Sequence, residues 1–332
     1  MANFLVEPNL LLMASEGFFS FLKPLYWVFG RCMDFLLSVL NNEYFLAIII
    51  FTVVTRLIVL PLNIRQQKTT AKSARLQPKI QKIQKKYPDP KDRMKLNQEM
   101  QALYDREGHN PMQMGCGTLI FQMIFLMGIV GIIYYPLSYV INMSNINDYS
   151  DQLIAFLEGL DYKGNYLQLG ILENWADYKE SLIAQFPELF TADRVEAIES
   201  FRQGMYLLGL DMTKIPHWKD GIIVIVPILS FLTSLGSTVV SMLIQRKTNP
   251  AASQQMGSMI GMMLIMPFFS LYIAFQVPAA VGFYWIISNI VAILQQIFIA
   301  KFFPPRKSQA KLMIENTIYR RSREENLKKT RA

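Results

Sequence analysis

Five runs of about twenty apolar residues dominate this chain: Tyr44 to Ile64, Thr118 to Val140, Gly221 to Ile244, Gly257 to Val277 and Ala279 to Ala300. Each is long enough to carry an α-helix across roughly 30 Å of hydrocarbon at 1.5 Å per residue. Hydrophobic residues make up 52% of the 332 and charged residues only 17%, too apolar a balance for an ordinary soluble domain of this size. The expected fold class is an all-α polytopic membrane protein. It has five transmembrane helices, a cytosolic helical hairpin and an outer interfacial helix.

Charge fixes the direction of the spans. Residues 65–113 hold 12 Lys or Arg against 5 Asp or Glu, residues 301–332 hold 10 against 3, and the link 245–256 holds 2 against none. Residues 142–219 hold 6 against 12. The positive-inside rule places the basic connections in the cytosol and the acidic one outside, with an outer N-terminus and a cytosolic C-terminus. The expected segments are an outer N-terminal stretch, residues 1–43, spans at 44–64, 114–141, 220–244, 257–277 and 279–300, the hairpin 65–113, the outer insert 142–219, the link 245–256 and the basic tail 301–332. The net charge of +8 is the difference between an acidic outside and a basic inside.

Residues 17–40 are aromatic-rich yet broken by Lys23, Pro24, Arg31 and Asp34. They read as an amphipathic helix in the outer interface, with a sixth span as the rival reading. Met1 to Ser15 has no Lys or Arg and so lacks the basic start of a secretory signal. In the hairpin, Leu76, Ile80, Ile83 and Tyr87 repeat at helical spacing, and Leu96, Met100 and Leu103 do so again after the prolines of "YPDPKD". Two antiparallel arms with one thin apolar seam are predicted. The outer insert reads as two or three short helices, at Asp148 to Glu158, at Trp175 to Phe186 and after Thr191 as N-cap.

Metal and nucleotide chemistry find no support. Cys32 and Cys116 fall on opposite sides of the membrane in this topology, as do His109 and His217, and no GxxxxGK[ST] loop is present. No cofactor is expected.

Arg56 stands eight residues before Ile64, about 12 Å from the inner end of its span at 1.5 Å per residue. An isolated arginine at mid-helix costs roughly 2.5 to 3.5 kcal/mol on insertion scales. None of the other four spans contains Asp, Glu, Lys, Arg or His. The spans do hold Thr52, Thr55, Asn63, Gln122, Ser230, Thr233, Ser234, Ser237, Thr238, Ser288, Asn289, Gln295 and Gln296. Such a set suits a wet cavity inside the membrane, or helix-to-helix bonding.

The stretches "TRLIVLPLNIRQQKTTAKSARLQPKIQKIQKKY", "LNQEMQALYDREGHNP", "FQM", "LLGLDMTKIP" and "VPAAVGFYWIISNIVAILQQ" resemble the YidC family of membrane protein insertases, relatives of the Oxa and Alb insertases of organelles. The resemblance covers residues 17–140 and 207–303. It implies a five-span insertase and chaperone whose hydrophilic groove opens to the cytosol and to lipid, with Arg56 as the arginine of the first span. It further implies that Gln122 and Trp285 line or support the groove and that the hairpin is mobile and needed for insertion. Thr52, Thr55, Thr233, Ser237, Ser288 and Asn289 complete the expected groove. The tail residues Arg306, Lys307, Arg320, Arg321, Arg323, Lys328 and Lys329 are expected to meet ribosomes or anionic lipid. Expected partners are nascent membrane proteins, the ribosome, the Sec translocon and the signal-recognition system, with the chain acting as a monomer in the bacterial plasma membrane. The large outer domain of Gram-negative members and the lipid-modified cysteine of many shorter ones are not expected here, since the first cysteine of this sequence is Cys32, and the resemblance is to the shorter, Gram-positive-like type. The family supplies no role for 142–219.

A physical mechanism follows. A wet half-channel shortens the dry path of a polar segment, and Arg56 compensates passing carboxylates without a covalent step. No enzymatic catalysis is expected. Met256, Met259, Met263 and Met266 read as core filler or as an adaptable face for unlike helices. The alternatives are an assembly factor acting only beside the Sec channel and an anion transporter. An intramembrane protease would need a His or acidic pair in the spans, which contain neither.

Overall fold

The computed structural model describes residues 23–107, 124, 127–160, 167–248, 256–304, 310, 314, 317, 318, 321 and 322. The protein is an all-α membrane protein, to which the described residues add one two-residue β-ladder. Among the described residues, three stretches are long and apolar enough to cross a membrane, Tyr44–Gln67, Gly221–Lys247 and Ala279–Phe302. A shorter apolar stretch, Met263–Ala274, lies within the helix Met256–Ala274. Much of the expected span 114–141 lies outside the described residues, although 127–134 and Pro136–Tyr139 are helical.

The expected first span and the first arm of the hairpin lie on one helix, Tyr44–Lys86, with Pro61 and Pro78 inside it. Its 43 residues make about 65 Å at 1.5 Å per residue, twice the hydrocarbon thickness. A proline removes one hydrogen bond and crowds the carbonyl four residues back, which bends a helix without ending it when helix-forming residues flank it.

The chain forms two compact units. One comprises Met1–Val54, Phe121–Phe231 and Ser270–Ser288, and the other Thr55–Ile120, Leu232–Phe269 and Asn289–Ala332.

The first unit holds a continuous apolar core. Its amphipathic helix, Lys23–Val39, buries Tyr26, Phe29, Gly30, Met33 and Leu37, a stripe at helical spacing, and exposes Trp27, Val28, Phe35 and Val39. Gly30 permits close approach to 136–139, since a Cβ there would lie 2.2 Å from the Tyr139 carbonyl oxygen. The chain then turns at Asn41 and Asn42, both with positive φ, and the Asn42 side-chain amide donates to Ser200 Oγ at 2.6 Å. Asparagine tolerates this conformation better than most residues.

Among the described residues, the insert between 142 and 219 forms a 3-10 turn, Ser144–Tyr149, and four helices, Ser150–Gly159, Leu167–Glu173, Trp175–Gln185 and Ala192–Gly204. Leu153, Leu157, Ile171, Leu182 and Ile198 join the core. The extra helix, Leu167–Glu173, is too short for a periodic signal and carries a buried amide instead. Gln168 accepts from the Ser138 N–H at 3.0 Å and donates to Ser138 Oγ at 2.6 Å, so its burial is matched by hydrogen bonds.

An antiparallel ladder follows, Tyr206–Leu207 with Leu210–Asp211. The Asp211 carboxylate accepts from the Thr213 N–H at 3.1 Å and from the Thr213 hydroxyl. This turn aims the carbonyls of Met212 and Lys214 at the Ala280 and Ala279 N–H groups, each at 2.9 Å. The first N–H groups of a helix have no partner within it. Here the "LDMTK" segment supplies partners for two of them on the helix Ala279–Phe302.

In the second unit the hairpin pairs residues up to Lys86 with the helix Arg93–Arg106 through the 3-10 turn Pro90–Asp92, where Asp89 accepts from the Lys91 N–H at 2.9 Å. Leu76 and Ile80 are buried, while Ile83, Tyr87, Leu96, Met100 and Leu103 are half-buried. Lys86 meets Glu99 at 3.0 Å and Lys79 meets Glu107, an order of pairing that makes the arms antiparallel. The hydrogen bond from Lys86 holds the Glu99 carboxyl below its ordinary value of 4.5. A carboxyl lowered on folding stabilises above its ordinary value and ceases to do so as pH falls through the lowered one. Amide-exchange protection of 93–106 should therefore be weaker at about pH 3 than at about pH 7, with a smaller difference in Glu99→Gln. The same pH dependence in both proteins would refute this role for the pair.

Candidate functional site

Polar groups from three helices, side chains from two and a main-chain carbonyl from the third, meet within the second unit. On the helices Ile225–Thr248 and Ala279–Phe302, Asn289 Nδ2 donates to Thr233 Oγ1 at 3.3 Å and Gln296 Nε2 donates to Ser237 Oγ at 3.4 Å. Thr233 and Ser237 are four residues apart and Asn289 and Gln296 seven, so each pair shares one helix face. The partners advance together along both helices, which therefore run parallel. Between them lies Gly236, where an added Cβ would find its nearest neighbour, Ile293 Cδ1, at an ordinary contact distance of 3.8 Å. Parallel spans joined through one return helix, Met256–Ala274, fit alternate crossings of a membrane.

The third helix carries the arginine. Gln295 Nε2 donates to the main-chain carbonyl oxygen of Arg56 at 3.2 Å. Arg56 itself is half-buried and Thr55 is buried. In lipid these amides have no water to bond, so contacts between helices replace it, each contributing on the order of 1 kcal/mol. At 3.2 to 3.4 Å they are long for hydrogen bonds. Gln296 Oε1 is buried and accepts no hydrogen bond from the described residues. An unused acceptor in an apolar bundle favours water or the N–H of a passing chain.

The expected groove residues thus divide. Arg56, Thr55, Thr233, Ser237 and Asn289 belong to the second unit. Thr52, Trp285 and Ser288 belong to the first, where the Thr52 hydroxyl donates to the Ile48 carbonyl of its own helix at 2.7 Å, Ser288 is buried and Trp285 packs against the apolar core. Gln122 lies outside the described residues. Of the tail cations, Arg321 is described and exposed, whereas Arg306, Lys307, Arg320, Arg323, Lys328 and Lys329 lie outside the described residues, as do Cys116 and His109. Met263 is half-buried and Met266 exposed, while Met256 and Met259 are described by their backbone alone.

Gln295 and Gln296 do more than their place among scattered polar residues suggested. Two adjacent amides in an apolar span are a signal, but sequence alone carries no register between helices, so their partners were not legible. The same holds for Met212 and Lys214, whose main-chain carbonyls carry no side-chain signature at all.

A family model described as "60Kd inner membrane protein" matches residues 35–307. The chain is 28% identical over 302 residues to Membrane protein insertase YidC 2 of Listeria innocua, covering 90% of this chain and 77% of that protein. It is 39% identical over 120 residues to Membrane protein insertase YidC of Alkalihalophilus pseudofirmus, covering 34% and 46% respectively. A similar stretch of 122 residues is 37% identical to Membrane protein insertase YidC of Oceanobacillus iheyensis, covering 36% and 44%.

Proposed function

Because the chain belongs to the 60Kd inner membrane protein family, that of the YidC, Oxa and Alb insertases, we propose that it inserts and helps fold nascent membrane proteins through a hydrophilic intramembrane groove. The observation that carries this reading is the meeting of Arg56, Thr233, Ser237, Asn289, Gln295 and Gln296 within one unit of an otherwise apolar bundle. A polar segment entering such a groove keeps hydrogen-bond partners and travels a shorter distance through lipid. Arg56 supplies a charge that attracts carboxylates on that segment. The apolar part of the substrate then leaves into lipid, drawn by its own area at about 25 cal/mol per Å². The reaction forms and breaks no covalent bond.

The orientation consistent with this reading has the N-terminus outside and the tail in the cytosol of a bacterial cell, with the chain acting as a monomer, alone or beside the Sec channel. The hairpin moves to admit substrate. Purified protein in liposomes lacking the general secretion channel should insert a small substrate with a short translocated segment. Insertion only when the channel is added would make it an assembly factor, and uptake of anions in place of insertion would make it a transporter.

The tail serves ribosomes delivered with or without the signal-recognition system, and anionic lipid as well. Its Lys and Arg neutralise phosphates, so binding weakens steeply with salt. Truncation after Pro305 should reduce ribosome co-sedimentation at low salt severalfold while leaving the melting temperature unchanged. Equal co-sedimentation of both forms would remove the tail from ribosome binding.

A further inference from the structure

In the first unit, three helix ends gather around the ladder Tyr206–Leu207 with Leu210–Asp211. The N-terminus of Ala279–Phe302 is bonded by Met212 and Lys214. The C-terminal end of Met256–Ala274 is met by Trp218, whose ring stacks on Phe275 with centroids 4.3 Å apart. The span Gly221–Lys247 begins three residues after Trp218. Where three membrane helices start or stop, the chain passes between hydrocarbon and water, and Trp and Tyr concentrate at that depth.

The ladder ends in a turn that puts an apolar side chain forward. Leu208 has φ 51 and Gly209 φ 80, the two positive values of a type I′ hairpin, whose first position favours Asn or Asp and suits leucine poorly. Leu208 is nevertheless 95% exposed. A leucine that carries backbone strain and makes almost no contact within the protein is placed for something outside it. Tyr206, Trp218 and Ile222 are exposed nearby in sequence, Trp218 by 71% and Ile222 by 73%.

We propose that the 206–211 hairpin, with Leu208 at its tip, is a keel that inserts, together with Trp218, into the interfacial region of the outer lipid leaflet. Its occupant is lipid. Ile222 lies in the first turn of the span Gly221–Lys247, and the polar residues Lys214, His217, Lys219 and Asp220 lie between it and the tip in sequence, a mixture that suits a segment at headgroup depth between hydrocarbon and water. Trp218 has the aromatic character of an interfacial anchor. By fixing Met212 and Lys214 against lipid, the keel would hold the N-terminus of Ala279–Phe302 at a defined depth. The choice of leaflet rests on the orientation proposed above, whereas insertion of the hairpin into lipid requires only that the chain spans a membrane and is independent of insertion activity.

The test uses the full chain in lipid nanodiscs with Cys32→Ser and Cys116→Ser, labelled with an environment-sensitive fluorophore at Leu208→Cys or, as a control in the outer insert, at the exposed position Glu158→Cys. The label at 208 should emit severalfold more brightly and further to the blue than the label at 158. Lipid carrying a quencher near the headgroup should quench it strongly and leave 158 unaffected. Water-like emission at 208 would overturn the proposal. So would emission that is water-like in nanodiscs but shielded in native membranes, since that outcome assigns the tip to a protein partner.

Discussion

Gly30→Ala should lower the melting temperature and folded yield of the protein, although alanine is the better helix former. The Cβ it adds would sit 2.2 Å from the Tyr139 carbonyl oxygen and 2.8 Å from its carbon, and main chain cannot rotate aside as a flexible side chain can. Overpacking of this kind costs about 1 to 3 kcal/mol, and the gain in helix propensity offsets at most about 1 kcal/mol of it. The upper end applies because the blocking atoms are backbone and the helix Lys23–Val39 meets 136–139 at this point. Gly236→Ala is the matched contrast: its added Cβ would find nothing nearer than Ile293 Cδ1 at 3.8 Å, so the same substitution should be neutral or stabilising. A Gly30→Ala protein that melts no lower than the parent would show that the helix does not pack as described.

Much of the helical architecture can be read from local pattern. Three of the five apolar runs fall on helices long enough to cross a membrane, Thr191 stands before the helix Ala192–Gly204, and the stripes from Leu76 to Tyr87 and from Leu96 to Leu103 announce two facing arms that Lys86 and Glu99 then fasten. What pattern cannot supply is the joining of distant segments. The span 44–64 and the first arm of the hairpin read as separate segments, yet Tyr44–Lys86 is one helix that runs through Pro61 and Pro78, because neighbouring turns keep their own hydrogen bonds. Gln168 is a buried partner of Ser138, thirty residues away in sequence, and nothing in its local pattern marks it as one. The bonds from Ala279 and Ala280 to Lys214 and Met212 span more than sixty residues of sequence and use main-chain atoms common to every residue type. At the candidate site the polar residues were visible individually, whereas the pairing of Asn289 with Thr233 and of Gln296 with Ser237 depends on the register of two helices. Thr52, among the residues expected to line the groove, turns its hydroxyl back to Ile48, a local bond that a threonine in a helix makes readily.

Arg56 carries the central claim, and its substitutions should have the largest effect on function. Two unit charges 4 Å apart attract by about 4 kcal/mol at an effective dielectric constant of about 20. Realising a third of that in transit corresponds to about 1.4 kcal/mol, or about tenfold in rate. The direct measurement is insertion, in liposomes without the secretion channel, of a matched substrate pair whose translocated segments are acidic or neutralised, normalised to folded protein. Arg56→Lys should retain most activity, since the charge survives although the planar five-donor fork is lost. Arg56→Ala should slow the acidic substrate by about tenfold relative to the neutral one, and Arg56→Glu should slow it further while sparing the neutral partner. Equal loss for both substrates, or loss that tracks only protein abundance and melting temperature, would contradict the electrostatic role of Arg56 in the groove.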